Sequence, residues 1–382
     1  MYHLRRMHPL RWLIKLSFFA FFLYLVHLIR DQYLFERFLN SSFLSFDDFS
    51  PSYAKALKES VSNHTELEFD YSLFSENNTS SSYSPKIPRI IHFIWFKDIY
   101  ESHDGTSDIP SSGSDSPDVC RRYNPDFEIN IWNTTAAQIF FETEYAWFLP
   151  TYHSYAHPIQ RVDALKYFLL WHYGGVYMDL DITCRRALDP LLTVPAWFPR
   201  AQPLGVNCDL MATAARHPII GKMTESLRSR NRWLIFPYLT IFWSTGPQFA
   251  SDMLRSWFKE EMFGGRFGRN SSKINAGNQE FFVLPLMFYS EEYSFFGHHP
   301  GGTWHGQDVA VVLWLVERRW TILILGCMLL CVLVVKAKRR SIFNLLSRIS
   351  KASLGETSRA IPSLPLFTIA SRPQAKRKLE FG

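Results

Sequence analysis

Two apolar stretches bracket this 382-residue chain, Trp12 to Ile29 and Trp320 to Val335, and they restrict what the residues between them can be. The first has only Lys15, Ser17 and His27 as polar members, and the second only Thr321 as clearly polar. As helices they reach roughly 27 and 24 Å, a little under the roughly 30 Å of a hydrocarbon core, so each is expected to span a thin bilayer. No small-residue cleavage site follows the first stretch in Arg30-Asp31-Gln32-Tyr33, which makes it an anchor rather than a removed leader. The formal net charge of +6 is unevenly spread: residues 1–30 hold five Lys/Arg and no acid, and residues 336–382 hold eleven against two. Taking +5 and +9 from +6 leaves −8 on the 305 residues between, so the basic character belongs to the two ends and nucleic-acid binding is excluded. Arg5, Arg6 and Arg11 precede the first stretch, and Lys336, Lys338, Arg339 and Arg340 follow the second, so both ends are expected to be cytosolic. The pattern N-x-[ST] occurs at Asn40, Asn63, Asn77, Asn78, Asn133 and Asn270, all between the stretches, which places that region in the lumen of the secretory pathway. There Cys120, Cys184 and Cys208 can form one disulfide, while Cys327 and Cys331 share a helix face in the second stretch.

The apolar content of 47% and aromatic content of 16% exclude a disordered or fibrous chain. The expected organisation is a cytosolic N-terminus (1–11), a membrane helix (12–29), a lumenal stalk rich in Ser, Asn and aromatics (30–86) and a globular domain (87–308). A juxtamembrane link (309–319), a second membrane helix (320–335) and a basic cytosolic tail (336–382) follow. Within the domain, Ile90 to Phe96 reads as a buried strand, and Phe127, Ile129 and Ile131 alternate in another. A helix is expected from Pro158 to about His172, ended by Gly174-Gly175 and followed by a strand from Val176 to Ile182, an α/β pattern.

In that strand Val176, Met178, Leu180 and Ile182 would occupy one face, leaving Asp179 and Asp181 together on the other. Two carboxylates about 6.6 Å apart at Cα suit one hard cation and repel each other without it. The alternative is two acids on a solvated strand face.

The run Arg161-Val162-Asp163-Ala164-Leu165-Lys166-Tyr167, then Tyr173-Gly174-Gly175-Val176-Tyr177-Met178-Asp179-Leu180-Asp181, resembles the D-x-D region of glycosyltransferase family 32, nucleotide-sugar transferases with a GT-A type fold. Ile87 to His92, Asn124 to Phe127, Asp189 to Leu192, Ser244 to Pro247, Ser294 to His299 and Trp304-His305-Gly306-Gln307-Asp308 resemble its fungal branch, which makes mannosylinositol phosphorylceramide. The resemblance implies a GT-A type α/β domain between two transmembrane helices, GDP-mannose as donor, inositol phosphorylceramide as acceptor, retention at the anomeric carbon, and Mn²⁺ or Mg²⁺. It also implies a Golgi membrane location, with the endoplasmic reticulum as alternative, and a membrane-embedded regulatory subunit. By the same likeness Asp179 and Asp181 hold the metal and are catalytic, Asp163 and Lys166 contact the donor sugar, and the Trp304 indole binds the diphosphate. His305 is the candidate third metal ligand, with His298 and His299 competing. Trp95 is either a wall of the nucleotide pocket or a core aromatic. A family 32 mannosyltransferase acting on a glycan is the nearest alternative. Asp179-Leu180-Asp181-Ile182-Thr183 also fits the D-x-D-x-T of haloacid-dehalogenase-type phosphatases, but the acidic pair that they need downstream is missing. A non-catalytic homologue would not need both aspartates and the Trp-His pair.

Overall fold

The computed structural model describes residues 9–74, 84–96, 115–263, 280–289, 293–298 and 307–357. Among the described residues its helices of eight or more residues are α1 (Pro9–Ser41), α2 (Pro51–Asn63), α3 (Ser116–Tyr123), α4 (Thr134–Glu144), α5 (Pro158–His172), α6 (Pro218–Arg230), α7 (Pro237–Ser244), α8 (Pro247–Phe263), α9 (Gln307–Glu317) and α10 (Arg319–Thr357). Six of the ten begin on proline, whose fixed φ suits the first helical turn and whose missing N–H would have no partner there. The chain divides into two compact units, Met1–Val309 and Ala310–Gly382. The second consists, among the described residues, of the greater part of α9 and of α10.

The first unit is mixed α/β. Strands β1 (Ile90–Ile94), β2 (Glu128–Trp132), β3 (Gly175–Met178), β5 (Ala196–Pro199), β6 (Leu210–Thr213) and β7 (Phe282–Leu284) form one sheet in the order β2-β1-β3-β6-β5-β7. Strands β2, β1 and β3 run parallel, β6 is antiparallel to β3 and β5, and β7 is parallel to β5. A separate antiparallel pair joins β4 (Ile182–Cys184) to β8 (Phe296–His298). Side chains alternate across the large sheet, as a pleat requires. Ile91, Phe93, Val176, Met178, Trp197, Leu210 and Ala212 enter one apolar cluster, whereas Tyr177, Phe198 and Met211 enter the other. Helix α5 lies in the second cluster and is buried over most of its circumference, from Val162 to Leu170.

The expected helix from Pro158 to His172 and the glycine break after it are found as read. Gly174 and Gly175 have φ of +69° and +93°, and a Cβ on Gly175 would come 2.5 Å from the Ile90 carbonyl oxygen. Only glycine lets β3 turn back this closely beside β1. Of the three cysteines between the apolar stretches, Cys120 and Cys184 form the disulfide and Cys208 is free and buried.

Three expectations are corrected. The strand expected to run to Ile182 stops at Met178, and residues 179–181 form a turn closed by the Ile182 N–H on the Asp179 carbonyl at 3.0 Å. The apolar parity survives, with Val176, Met178 and Ile182 in one cluster, but both acids leave the strand. Residues 30–74, the greater part of the expected stalk, are not a free stalk. Phe35, Phe38 and Leu39 of α1 are core residues, and Leu44, Phe49, Tyr53, Leu57 and Phe74 belong to the opposite cluster. The chain after α1 adds to the sheet edge, where Val283 donates to Ser42 at 2.8 Å and Leu44 donates to Val283 at 2.9 Å. Isolated aromatics drive this burial, with Phe38 stacked on Phe258 at a centroid distance of 4.2 Å, and they leave no periodicity to read. Lastly, among the described residues no helix is long and apolar enough to cross a membrane. The stretches 12–29 and 320–335 are portions of the longer helices α1 and α10, which continue as charged chain through Asp31, Glu36 and Arg37 and through Lys336, Lys338, Arg339 and Arg340.

Because Phe38 is 5% exposed and packed between Phe258 and Phe281, Phe38→Ala should destabilise the first unit by about 3–5 kcal/mol. A stalk residue would change stability by a few tenths of a kcal/mol at most. Chemical denaturation of the purified protein separates the two.

Candidate active site

Continuing the parallel register of β1 and β3, in which His92 faces Tyr177, brings Ile94 abreast of Asp179. Trp95 therefore sits at the same carboxyl edge as the acidic turn. That edge of a parallel sheet is where α/β folds present ligand sites. Trp95 is 8% exposed, so the pocket wall and the core aromatic are both compatible with its place.

Beneath the turn is a buried polar network. The Lys166 ammonium donates to Asp163 Oδ1 at 2.6 Å and to Cys208 Sγ at 3.4 Å, and it lies 5.3 Å from the centre of the Tyr177 ring. The second Asp163 oxygen accepts from the Thr245 hydroxyl at 2.8 Å, and the Tyr167 hydroxyl donates to the Thr245 carbonyl at 2.7 Å. Burial alone would neutralise Lys166, but Asp163, then Cys208 and Asp179, outweigh it and hold the ammonium charged. Lys166 and Asp163, expected one helical turn apart on one face, thus form a buried pair behind the acids.

Asp179 accepts a short hydrogen bond from the Tyr177 hydroxyl. Desolvation pushes its carboxyl up to about 8; Lys166 draws it back, and Asp181 and Asp209 push it further up. Asp209, just ahead of β6, is the acid that sequence reasoning did not single out. Its carbonyl accepts from the Asp179 N–H at 2.8 Å, and its Oδ2 accepts from the Tyr289 hydroxyl at 2.7 Å and from Asn207 at 2.6 Å. Asp209 Oδ1 is buried without a hydrogen-bond partner among the described residues, and burial raises this carboxyl too. An acid opening the wholly buried run Leu210–Thr213 was the available signal.

Of the three histidines proposed as metal ligands, His298 is in place, with Nε2 4.0 Å from Asp181 Oδ2 and Nδ1 3.3 Å from the Tyr289 oxygen. His299, Trp304 and His305 lie outside the described residues. Among the described residues no three His, Cys, Asp or Glu side chains are grouped to hold a metal ion. The donor set nevertheless fits a hard divalent cation. It offers carboxylate oxygens at Asp179 and Asp181, a third acid whose buried Oδ1 is orphaned, and mutual repulsion that a cation would relieve. Such a cation would take its remaining ligands from water or from a bound phosphate.

Residues 110–196 match the family described as glycosyltransferase sugar-binding region containing DXD motif. The chain is 33% identical over 242 residues to inositol phosphoceramide mannosyltransferase 3 of Schizosaccharomyces pombe, covering 63% of this chain and 62% of that one. It is 36% identical over 226 residues to mannosyl phosphorylinositol ceramide synthase SUR1 of Saccharomyces cerevisiae, covering 59% and 54%. With inositol phosphoceramide mannosyltransferase 1 of S. pombe it shares 32% identity over 277 residues, 70% of this chain and 79% of that one. The chain belongs to this DXD glycosyltransferase family. It spans less than two thirds of the length of the first two of these relatives. Among solved structures, the PaToxG glycosyltransferase superposes with a TM-score of 0.33 at 16% identity, over 57% of this chain and 85% of that one.

The matched region of this family member holds Asp163, Lys166, Asp179 and Asp181, whereas Trp95, Asp209, Thr245 and His298 come to the site from outside it. A cation must displace the proton that Asp179 retains up to about pH 8. Affinity for Mn²⁺ should therefore rise by up to about tenfold per pH unit from pH 6 towards pH 8 and level off above. Paramagnetic resonance titration of free Mn²⁺ reads this directly, and a flat profile would count against Asp179 as a ligand.

Proposed function

We propose that the chain transfers mannose from GDP-mannose to an inositol hydroxyl of inositol phosphorylceramide, with a divalent cation and with retention at the anomeric carbon. The observation that carries this reading is the turn at 179–181, which holds two acids at the sheet's carboxyl edge over the buried Lys166–Asp163 pair. The names of the S. pombe and S. cerevisiae relatives support the sugar and the lipid. A GT-A type arrangement of the domain and a Golgi membrane location with the first unit lumenal are parts of the same proposal. The sequons and the charge distribution favour that side of the membrane. A membrane-embedded regulatory partner completes the proposal.

In the reaction the bond between the anomeric carbon and the diphosphate breaks with its electron pair going to the diphosphate oxygen, a glycosidic bond to inositol forms, and the hydroxyl proton passes to the departing diphosphate. A divalent cation, when bound, supplies Lewis-acid stabilisation of the leaving diphosphate. Asp179 and Asp181 would hold it, and the Tyr177 hydroxyl fixes the Asp179 carboxylate from below. Lys166 keeps a positive charge under the acids, which lowers the cost of ionising Asp179. Asp163, 6% exposed and held on one oxygen by Lys166 and on the other by Thr245, is rigid and fixes the Lys166 ammonium beneath the acids.

Asp179→Ala and Asp181→Ala should each lower mannose transfer by about a hundredfold or more. Neither acid belongs to an apolar cluster, so Asp181→Ala should leave the thermal transition in place, and Asp179→Ala should lower stability by about 1–3 kcal/mol through the unpaired Tyr177 hydroxyl. Purified protein assayed with GDP-mannose, inositol phosphorylceramide and Mn²⁺ gives the answer. Near wild-type transfer in either variant would remove the acidic turn from the reaction. Lys166→Met, in contrast, should lose both activity and about 3–5 kcal/mol of stability by leaving Asp163 buried and unpaired.

A further inference from the structure

A second chemistry-bearing surface of the first unit is the segment joining α6 to α7 and the outer face of α7. Trp233 and Ile235 are 74% and 77% exposed, and Trp243 is 40% exposed. Tyr238 and Phe242 stack between them at 5.6 Å. The segment is nonetheless well held. The Thr240 hydroxyl accepts from the Leu234 N–H at 2.9 Å, the Asp308 carboxylate accepts from the Tyr238 N–H at 2.7 Å, and Asn231 donates to Ser154 at 2.8 Å. A fixed loop that leaves a Trp and an Ile in water forgoes about 1.5–3 kcal/mol per side chain, which points to an absent apolar phase. Residues 226–251 contain no acid, while Arg228, Arg230 and Arg232 lead into the aromatic run. Asp308 is taken up by the first turn of α7 and Arg230 by Asp252, which leaves Arg228 and Arg232 beside the exposed aromatics, a combination that matches the boundary of an anionic bilayer.

The neighbourhood distinguishes lipid from a protein partner. Arg230 pairs with Asp252 at 3.2 Å, Asp252 with Arg255 at 3.6 Å, and Arg255 donates to Gln32 of α1. This ladder ends where α1 leaves the domain. The six consecutive residues Phe21 to Val26 just beyond are all exposed, so α1 is apolar on every side there. A protein groove covers one stripe of a helix, whereas a lipid surface can take up a segment exposed all round without the helix crossing it.

We propose that the Trp233–Trp243 surface is a membrane-interface docking site that seats the first unit on anionic lipid. The next residue after α7 is Thr245, whose hydroxyl binds Asp163. An eight-residue helix is about 12 Å long, so a bilayer at Trp233 and Trp243 lies within reach of a headgroup entering the site. This purpose rests on the lipid-acceptor reading, but the docking itself does not.

The test uses the full chain with Cys327→Ser and Cys331→Ser, in which Cys120 and Cys184 are bonded and Cys208 is buried. Ile235→Cys is labelled with bimane and the protein is placed in nanodiscs of phosphatidylcholine and phosphatidylinositol. Docking predicts strong quenching by doxyl lipid and a several-fold loss of iodide quenching relative to detergent-free solvent exposure of a bimane peptide. Iodide quenching without lipid quenching overturns it. Protection from both quenchers would show that a protein covers the surface, which overturns it equally. The combined variant Trp233→Ser, Ile235→Ser, Trp243→Ser should lose about tenfold in kcat/KM for bilayer-embedded acceptor and keep its hydrolysis of the sugar nucleotide by water. If no lipid acceptor is found at all, the quenching result still stands or falls by itself.

Discussion

The Lys166 ammonium is the charge around which the site is built. It is 2% exposed and has Asp163 on one side, Cys208 on another and the ring of Tyr177 across from it. A bare ammonium at this depth would be expelled or deprotonated, and a buried Asp163 without a cation would be an uncompensated charge. Each makes the other tolerable. The pair lies within α5; Lys166 over the Tyr177 ring sets that helix against β3, and Thr245 ties the start of α8 to the Asp163 carboxylate. The field that results also reaches Asp179, the most strained carboxylate of the turn, which would otherwise be still harder to ionise. Removing the lysine would therefore disturb packing, electrostatics and cation affinity together.

Much of this was legible in the sequence because it is written in short-range rules. Pro158, the apolar repeat to Leu169 and Gly174-Gly175 define α5 within its observed limits. The alternation around Val176 and Met178 gives the sheet face correctly. The turn at 179–181 was not legible, since period-two alternation continues through Leu180 and Ile182 whether the backbone stays extended or folds back. Docking of residues 30–74 was hidden for a different reason. Phe49, Tyr53 and Phe74 pack in series on one another, and links from that cluster to the domain, such as Phe49 to Phe288, bridge more than 200 residues. Asp209 and Thr245 join the site through tertiary contacts that no spacing announces.

The disulfide completes the frame of the acidic turn. On one side the turn continues from β3, locked between β1 and β6; on the other it enters β4, where Cys184 is bonded to Cys120 of α3. The three residues that carry the acids are thus anchored at both ends. Such bonds persist in the oxidising secretory pathway, in agreement with the side of the membrane proposed for this unit.

The course of α1 bears on how substrate is found. A flexible stalk would let a tethered domain tumble and sample a volume. Here one uninterrupted helix passes from its apolar section into the core, and Glu36 is paired with Arg200 and Asp31 with Lys259. The sheet and its helices are therefore held at a set angle to that section, like a tool head on a rigid arm. Under the proposed lipid-acceptor function, encounter becomes a problem in two dimensions. The governing quantity is then molecules per unit area and their lateral diffusion, so that turnover would follow the composition of the surrounding membrane more closely than the total amount of lipid present.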